Sequence, residues 1–157
     1  MNPEFVELTT PRNVTGLTVR TSNARERDPE TAALPGLWQR FMSQRRDGYS
    51  GPPPAVFSVY TDYESDVNGA YTVVLGRDTG SPASGAHTVR VPAGRYAVFA
   101  STGEMPAAVI SGWQQVWAYF ARPGAPARAY TTDFEQYDPA EPSTVRIHVA
   151  VQARSAG

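Results

Sequence analysis

The sequence predicts an α+β fold: an antiparallel sheet carrying two main helices on one face, built as a tandem strand-helix-strand-strand repeat. Three observations lead there. Two segments, Leu34 to Met42 and Ala107 to Phe120, place apolar residues at helical spacing. Several others alternate, or are rich in β-branched and aromatic residues, between Pro- and Gly-containing breaks. The order strand, helix, strand, strand also occurs twice. Gly36-Leu-Trp-Gln-Arg-Phe41 parallels Gly112-Trp-Gln-Gln-Val-Trp117, and Asp62-Tyr-Glu-Ser parallels Asp133-Phe-Glu-Gln. A helix with one apolar stripe must bury it, and one sheet shared by both halves would serve.

Val14 to Arg20 alternates as a strand with Leu17 and Val19 inward, and the polar run Asn23 to Thr31 is expected to be an exposed connection. Leu34, Leu37, Trp38, Phe41 and Met42 then form a helical stripe, with Pro35 suited to the first turn. Ser50-Gly-Pro-Pro-Pro-Ala55 predicts a rigid loop. Val56 to Tyr63 and Ala70 to Gly76 read as a strand and its return, joined through Glu64-Ser-Asp-Val-Asn-Gly69, whose Asn-Gly pair favours a tight turn. Arg77 to Gly85 reads as a linker between the halves.

His87 to Ala100 predicts a long strand or a strand pair bent at Pro92-Ala-Gly94. Val109, Ile110, Trp113, Val116, Trp117 and Phe120 make the second stripe, which Pro123-Gly124 ends. Arg128 to Asp138 is expected to be a strand, followed by Thr144 to Val151 as the last one. Alternation along the first of these sets Asp133, Glu135 and Tyr137 on one side and Tyr130, Thr132 and Phe134 on the other. Glu135 stands mid-strand between two aromatic rings. Carboxylates are disfavoured there unless exposed, paired or used.

Composition narrows the functional classes. At 157 residues and 41% hydrophobic the chain supports one core, so a single domain over residues 1–157 is expected, with pseudo-repeats at about 1–80 and 81–157. It has no cysteine, which removes disulfides, thiol nucleophiles and cysteine-ligated metals. A net charge of −1 and the lack of a basic run argue against direct nucleic-acid binding. His87 and His148 lie far apart without metal-ligand spacing, and no phosphate loop or nucleophile elbow occurs, so neither metal nor cofactor is expected. The start of the chain lacks the pattern of a secretory signal and no stretch is apolar enough to span a bilayer, so no membrane association and a cytoplasmic location are expected.

Tyr60-x-Asp-Tyr-Glu-Ser-Asp66, Tyr71-Thr-Val-Val-Leu-Gly76, Val91-Pro-Ala-Gly-Arg-Tyr-Ala-Val-Phe99, the Trp113/Trp117 helix and Asp133-Phe-Glu-Gln-Tyr137 together resemble the GyrI-like family. That family includes effector-binding domains of AraC-type and multidrug-sensing bacterial transcription regulators. The resemblance covers nearly the whole chain and implies a small-molecule pocket where the two repeats meet. It implies that Glu135, matching a glutamate on the family's penultimate strand, reaches into an aromatic pocket and meets lipophilic, often cationic, compounds. Regulators of the family add a helix-turn-helix domain for which this chain has no residues left, so a stand-alone binding domain is expected.

An ionised carboxylate in an apolar pocket needs a partner, and a flat organic cation supplies charge and apolar surface together. Glu135 is therefore assigned as counter-ion, with Tyr60, Trp38, Trp113, Trp117 and Tyr137 as candidate walls. Trp38 and Trp117 equally suit plain core packing on their stripes, and His148 could face Glu135 across the final hairpin, although a solvated histidine is the favoured reading there. Two further readings stand beside this one. The resemblance extends to hydrolases of cyclopropane-bearing natural products, where Glu135 would be a general acid or base. It extends also to modules that inhibit a protein partner through their surface.

Overall fold

The structure is a computed structural model, and it describes residues 3–43, 55–65, 69–77, 87–105 and 107–152. Its strands are β1 (Glu4–Leu8), β2 (Arg12–Ser22), β3 (Val56–Thr61), β4 (Ala70–Arg77), β5 (His87–Val91), β6 (Gly94–Thr102), β7 (Thr132–Tyr137) and β8 (Thr144–Ala150). The helices are α1 (Asn23–Arg27), α2 (Leu34–Ser43) and α3 (Ala107–Phe120). All eight strands join one curled antiparallel sheet in the order β1-β6-β8-β7-β3-β4-β2-β5. The predicted repeat is therefore present as β2-α2-β3-β4 and β6-α3-β7-β8. The halves meet where β3 pairs with β7, Ser58 opposite Glu135 and Tyr60 opposite Asp133.

Each half lends its leading strand to the other. β1 pairs with β6, and β5 pairs with β2, so both outer edges are closed by the opposite half. The bend at Pro92-Ala-Gly94 is what separates β5 from β6 and sends them to opposite ends of the sheet; Gly94 takes φ 151 there, open to glycine but strained for other residues. Gly16 and Gly76 face each other across β2 and β4 so closely that a Cβ on Gly16 would lie 2.0 Å from the Leu75 carbonyl oxygen. A side chain at either position would force the two strands apart.

Strand alternation gives the sheet two cores. On the helix side, Leu37 and Phe41 of α2 pack on Val73 and Leu75, while Val116 of α3 packs on Phe99, Val145 and Ile147. On the other side, Val14, Phe57, Val59, Val74, Tyr96 and Phe134 make a separate cluster. Gly112 lets α3 lie close, since a Cβ there would meet Ile147 Cδ1 at 2.7 Å. β7 serves both cores, with Phe134 facing one and Glu135 the other.

Several expectations change. Asn23 to Thr31 is not merely a connection, because it opens with α1, capped by Ser22 Oγ accepting from the Arg25 amide at 3.2 Å. Arg128 to Thr131 does not extend β7: Tyr130 takes φ 52, which no ladder accepts, and Arg128 makes only an isolated bridge to Val151. Tyr130 therefore does not share a face with Thr132 and Phe134. Asp62 and Asp133 are not equivalent either. Asp62 is exposed beyond the end of β3 at φ 51, whereas Asp133 is wholly buried inside β7. β1, unforeseen, is an edge strand with Phe5 and Val6 exposed.

The loop at Ser50 to Pro54, the Asp66 to Asn68 part of the hairpin turn, most of the Arg77 to Gly85 linker and the Met42 side chain lie outside the described residues. Among those described, no helix is long and apolar enough to cross a membrane.

Candidate functional site

Glu135 is delivered to the helix side of the sheet by the alternation of β7, and its flanks are Ser58 on β3 and Ile147 on β8. Trp113 of α3 reaches down onto it. The carboxylate is 1% exposed. Its Oε2 accepts from the Tyr60 hydroxyl at 2.6 Å and from Trp113 Nε1 at 2.6 Å, and its Oε1 accepts from the Tyr137 hydroxyl at 2.5 Å. All three donors are neutral. Among the described residues no cationic side chain pairs with it.

Burial pushes the Glu135 carboxyl above its ordinary range, and the three hydrogen bonds from Tyr137, Tyr60 and Trp113 oppose that push. The Tyr60 and Tyr137 hydroxyls are driven well above the usual phenolic range, first by burial and then by the negative charge they hold. They remain donors at any ordinary pH. Neutral hydrogen-bond donors alone hold this carboxyl, and its ionised form has no cation beside it among the described residues.

Two residues earlier on the same face, Asp133 is treated differently. It is 0% exposed and accepts from Arg128 Nη2 at 2.8 Å, the Tyr63 hydroxyl at 2.5 Å and the Ala150 amide at 2.8 Å. Burial raises its carboxyl too, but the Arg128 guanidinium works first against that rise. One strand thus carries two buried carboxylates, one with a built-in cation and one without.

Beside Glu135 lies a cleft of about 220 Å³. The sheet side contributes Tyr60, Tyr71 and, just past β3, Tyr63; α3 contributes Val109, Ile110, Trp113 and Trp117. Neighbouring rings are Tyr60 and Trp113 at 5.4 Å, and Tyr60 and Tyr71 at 5.6 Å between centroids. The remaining wall comes from Leu34 at the start of α2, from Asn23 and Glu26 of α1, and from Arg128 and Tyr130. Glu26 holds that wall together by accepting from the Thr21 hydroxyl at 2.6 Å and from the Ala33 and Leu34 amides at 2.8 and 3.1 Å. It supplies the exposed donors at the head of α2 with an acceptor.

Of the residues read from the sequence, Glu135, Tyr60, Trp113 and Trp117 line this cleft together. Tyr137 and Trp38 do not. Tyr137 bonds Oε1, the oxygen that Tyr60 and Trp113 leave, and Trp38 packs edge-on to Tyr137 at 5.1 Å, so both stand behind the carboxylate and fix its orientation. His148 is not a neighbour of Glu135: it opposes Phe134, stacks on it at 4.2 Å and lies on the other face of the sheet. Tyr63, Tyr71, Tyr130, Arg128, Asn23 and Glu26 were not read as lining residues. Only Tyr71 carried a signal, by alternating with Val73 and Leu75 on a strand beside Tyr60.

Comparison with known proteins adds three findings. A family model described as the GyrI-like small molecule binding domain matches residues 1–154. Among solved structures, an integron cassette protein from the mobile metagenome of Vibrio cholerae is 41% identical, with a TM-score of 0.85 and 96% of each chain covered. A putative transcription regulation protein from Staphylococcus aureus is 18% identical (TM-score 0.74; 98% of this chain and 99% of that one), as is SAV2435 bound to tetraphenylphosphonium (TM-score 0.68; 98% and 95%), so these two share the fold. No match was found among curated proteins.

Proposed function

The chain belongs to the GyrI-like family of small-molecule-binding domains, and from that premise we propose that it binds small lipophilic aromatic cations beside Glu135, for multidrug sensing or sequestration in the cytoplasm. Glu135 is the counter-ion, Tyr60, Trp113 and Trp117 are walls, and Tyr137 and Trp38 hold the carboxylate in place. The observation that carries this reading is the contrast on β7: Asp133 has Arg128, whereas Glu135 has three neutral donors and faces a ring-lined cleft. A cation entering that cleft gains the attraction of a desolvated charge and of the ring faces around it. The tetraphenylphosphonium carried by SAV2435 supports the same guest class.

Calorimetric titration with tetraphenylphosphonium and with tetraphenylborate tests the proposal, because the two ions match in shape and differ in sign. The cation is expected to bind and the borate to fail. Equal binding of both would leave hydrophobicity as the driving force and remove Glu135 from the role.

One observation favours a second reading, hydrolysis of a strained cyclopropane compound: a buried carboxyl raised by burial lies in contact with the Tyr60 hydroxyl, a suitable setting for a general acid. Incubation with such a compound and analysis for ring-opened product separates a catalyst from a binder.

A further inference from the structure

The cleft beside Glu135 does not end at Arg128. A second hollow of about 290 Å³ shares Asn23, Trp117, Arg128 and Tyr130 with it and continues to Arg27 and Phe120. Charge changes sign along this path. Glu135 and Glu26 line the first lobe, Arg128 stands at the boundary, and Arg27 lies in the second. Rings line both lobes.

Arg128 has donors beyond its ion pair. A guanidinium carries five N–H groups; Nη2 serves Asp133, and the buried Nε has no partner. Its Cζ lies over the Tyr130 ring, 4.5 Å from the centroid, with 7% of the side chain exposed. Arg27, in the last turn of α1, is exposed and has no ion-pair partner among the described residues. Asp133 already balances the charge of Arg128, so Arg27 supplies the net attraction for an anion, with Arg128 lining the boundary between the lobes.

We propose that the two lobes form one bipartite site selective for aromatic zwitterions: a flat cationic ring system beside Glu135, carrying a carboxylate that passes Trp117 and Tyr130 towards Arg27 and Arg128. The proposal rests on the cation-binding reading and refines it. A simple lipophilic cation occupies the first lobe only. A ligand that adds a carboxylate at a distance from its positive charge uses both.

The test compares a free-acid rhodamine dye with its methyl ester, which share one cationic ring system, by fluorescence anisotropy alongside tetraphenylphosphonium. The free acid is expected to bind about fivefold more tightly than the ester, the scale of one exposed ion pair. Arg27→Gln, a surface change, should erase that preference and leave ester and tetraphenylphosphonium affinities as they were. Arg128→Lys, which keeps the charge beside Asp133, should reduce the preference by losing the planar fork. Equal affinity for acid and ester in the wild type, or a preference that survives Arg27→Gln, overturns the bipartite site while cation binding stands. Failure of all three probes to bind overturns both readings.

Discussion

Replacing Glu135 by Gln isolates its charge from its shape. Trp113 Nε1 can only donate, so it and Tyr60 must keep the side-chain oxygen, and the new amide group then faces Tyr137. The Tyr137 hydroxyl can turn and accept, so the variant is expected to fold with its contacts intact. What disappears is the attraction for a guest. At about 6 Å and an effective dielectric of about 20, a unit charge is worth about 3 kcal/mol, or on the order of 100-fold in affinity. Burial raises the Glu135 carboxyl, so wild-type affinity for tetraphenylphosphonium should climb as pH rises through that raised value and then level off. In Glu135→Gln the affinity should be low and independent of pH between 5 and 8. The assay is calorimetric titration of both proteins across that range. Binding by the variant within about twofold of wild type, or an unchanged pH profile, would refute the reasoning.

Four more perturbations follow from the same contacts. Tyr60→Phe removes one hydrogen bond from the charged form of Glu135, worth about 1.5–3 kcal/mol, so the pH midpoint of cation binding should move up by about one to two units. Asp133→Asn strands Arg128 in the cleft and should cost about 3–5 kcal/mol in urea denaturation, whereas Glu135→Gln at pH 7 should cost little or stabilise. Burial, with Arg12 and Arg146 adding to it, lowers His148 to about 4 against the help of its hydrogen bond to the Arg146 carbonyl. Its contribution is therefore present above the unfolded value of 6.5 and lost as pH falls towards 4; His148→Phe keeps the stack on Phe134 and should remove about 2 kcal/mol of the wild type's loss between pH 7 and pH 5. Gly16→Ala drives a Cβ into the Leu75 carbonyl and should destabilise by about 3 kcal/mol, which a thermal melt reads directly.

The helices and inner strands were legible because their signals are local. α3 needs only its stripe and the Pro123-Gly124 stop, and β4 only its alternation with Gly76 at the end. The face of Glu135 followed from the same arithmetic. Its neighbours did not, since they depend on register: a one-residue difference sets Ile147 rather than His148 opposite Glu135 and sends the histidine to the other face. Trp38 and Trp113 sit on comparable stripes, and no periodicity says that one helix turns its indole to the carboxylate while the other packs behind Tyr137. Arg128 and Tyr130 were hidden by a positive φ that the sequence does not announce at a tyrosine. β1 escaped because an exposed edge strand lacks an alternating apolar face.

A duplicated fold explains where an unbalanced charge can be kept. On the helix side of the sheet a buried ionisable group must be neutralised, supplied with donors or excluded. At the seam between β3 and β7 the two halves bring different chemistry to one spot: hydroxyl donors come from Tyr60 of one half and Tyr137 of the other, and an indole from α3. Those donors keep the carboxylate hydrated in effect, though not in fact, while leaving its charge directed at the adjoining cleft. A buried charge held this way lowers stability relative to a neutral core, and under the proposed reading a cationic guest would recover the difference as binding energy. On that reading selectivity for positive guests would need no close fit, because the ionised form of Glu135 has no cation of its own beside it among the described residues.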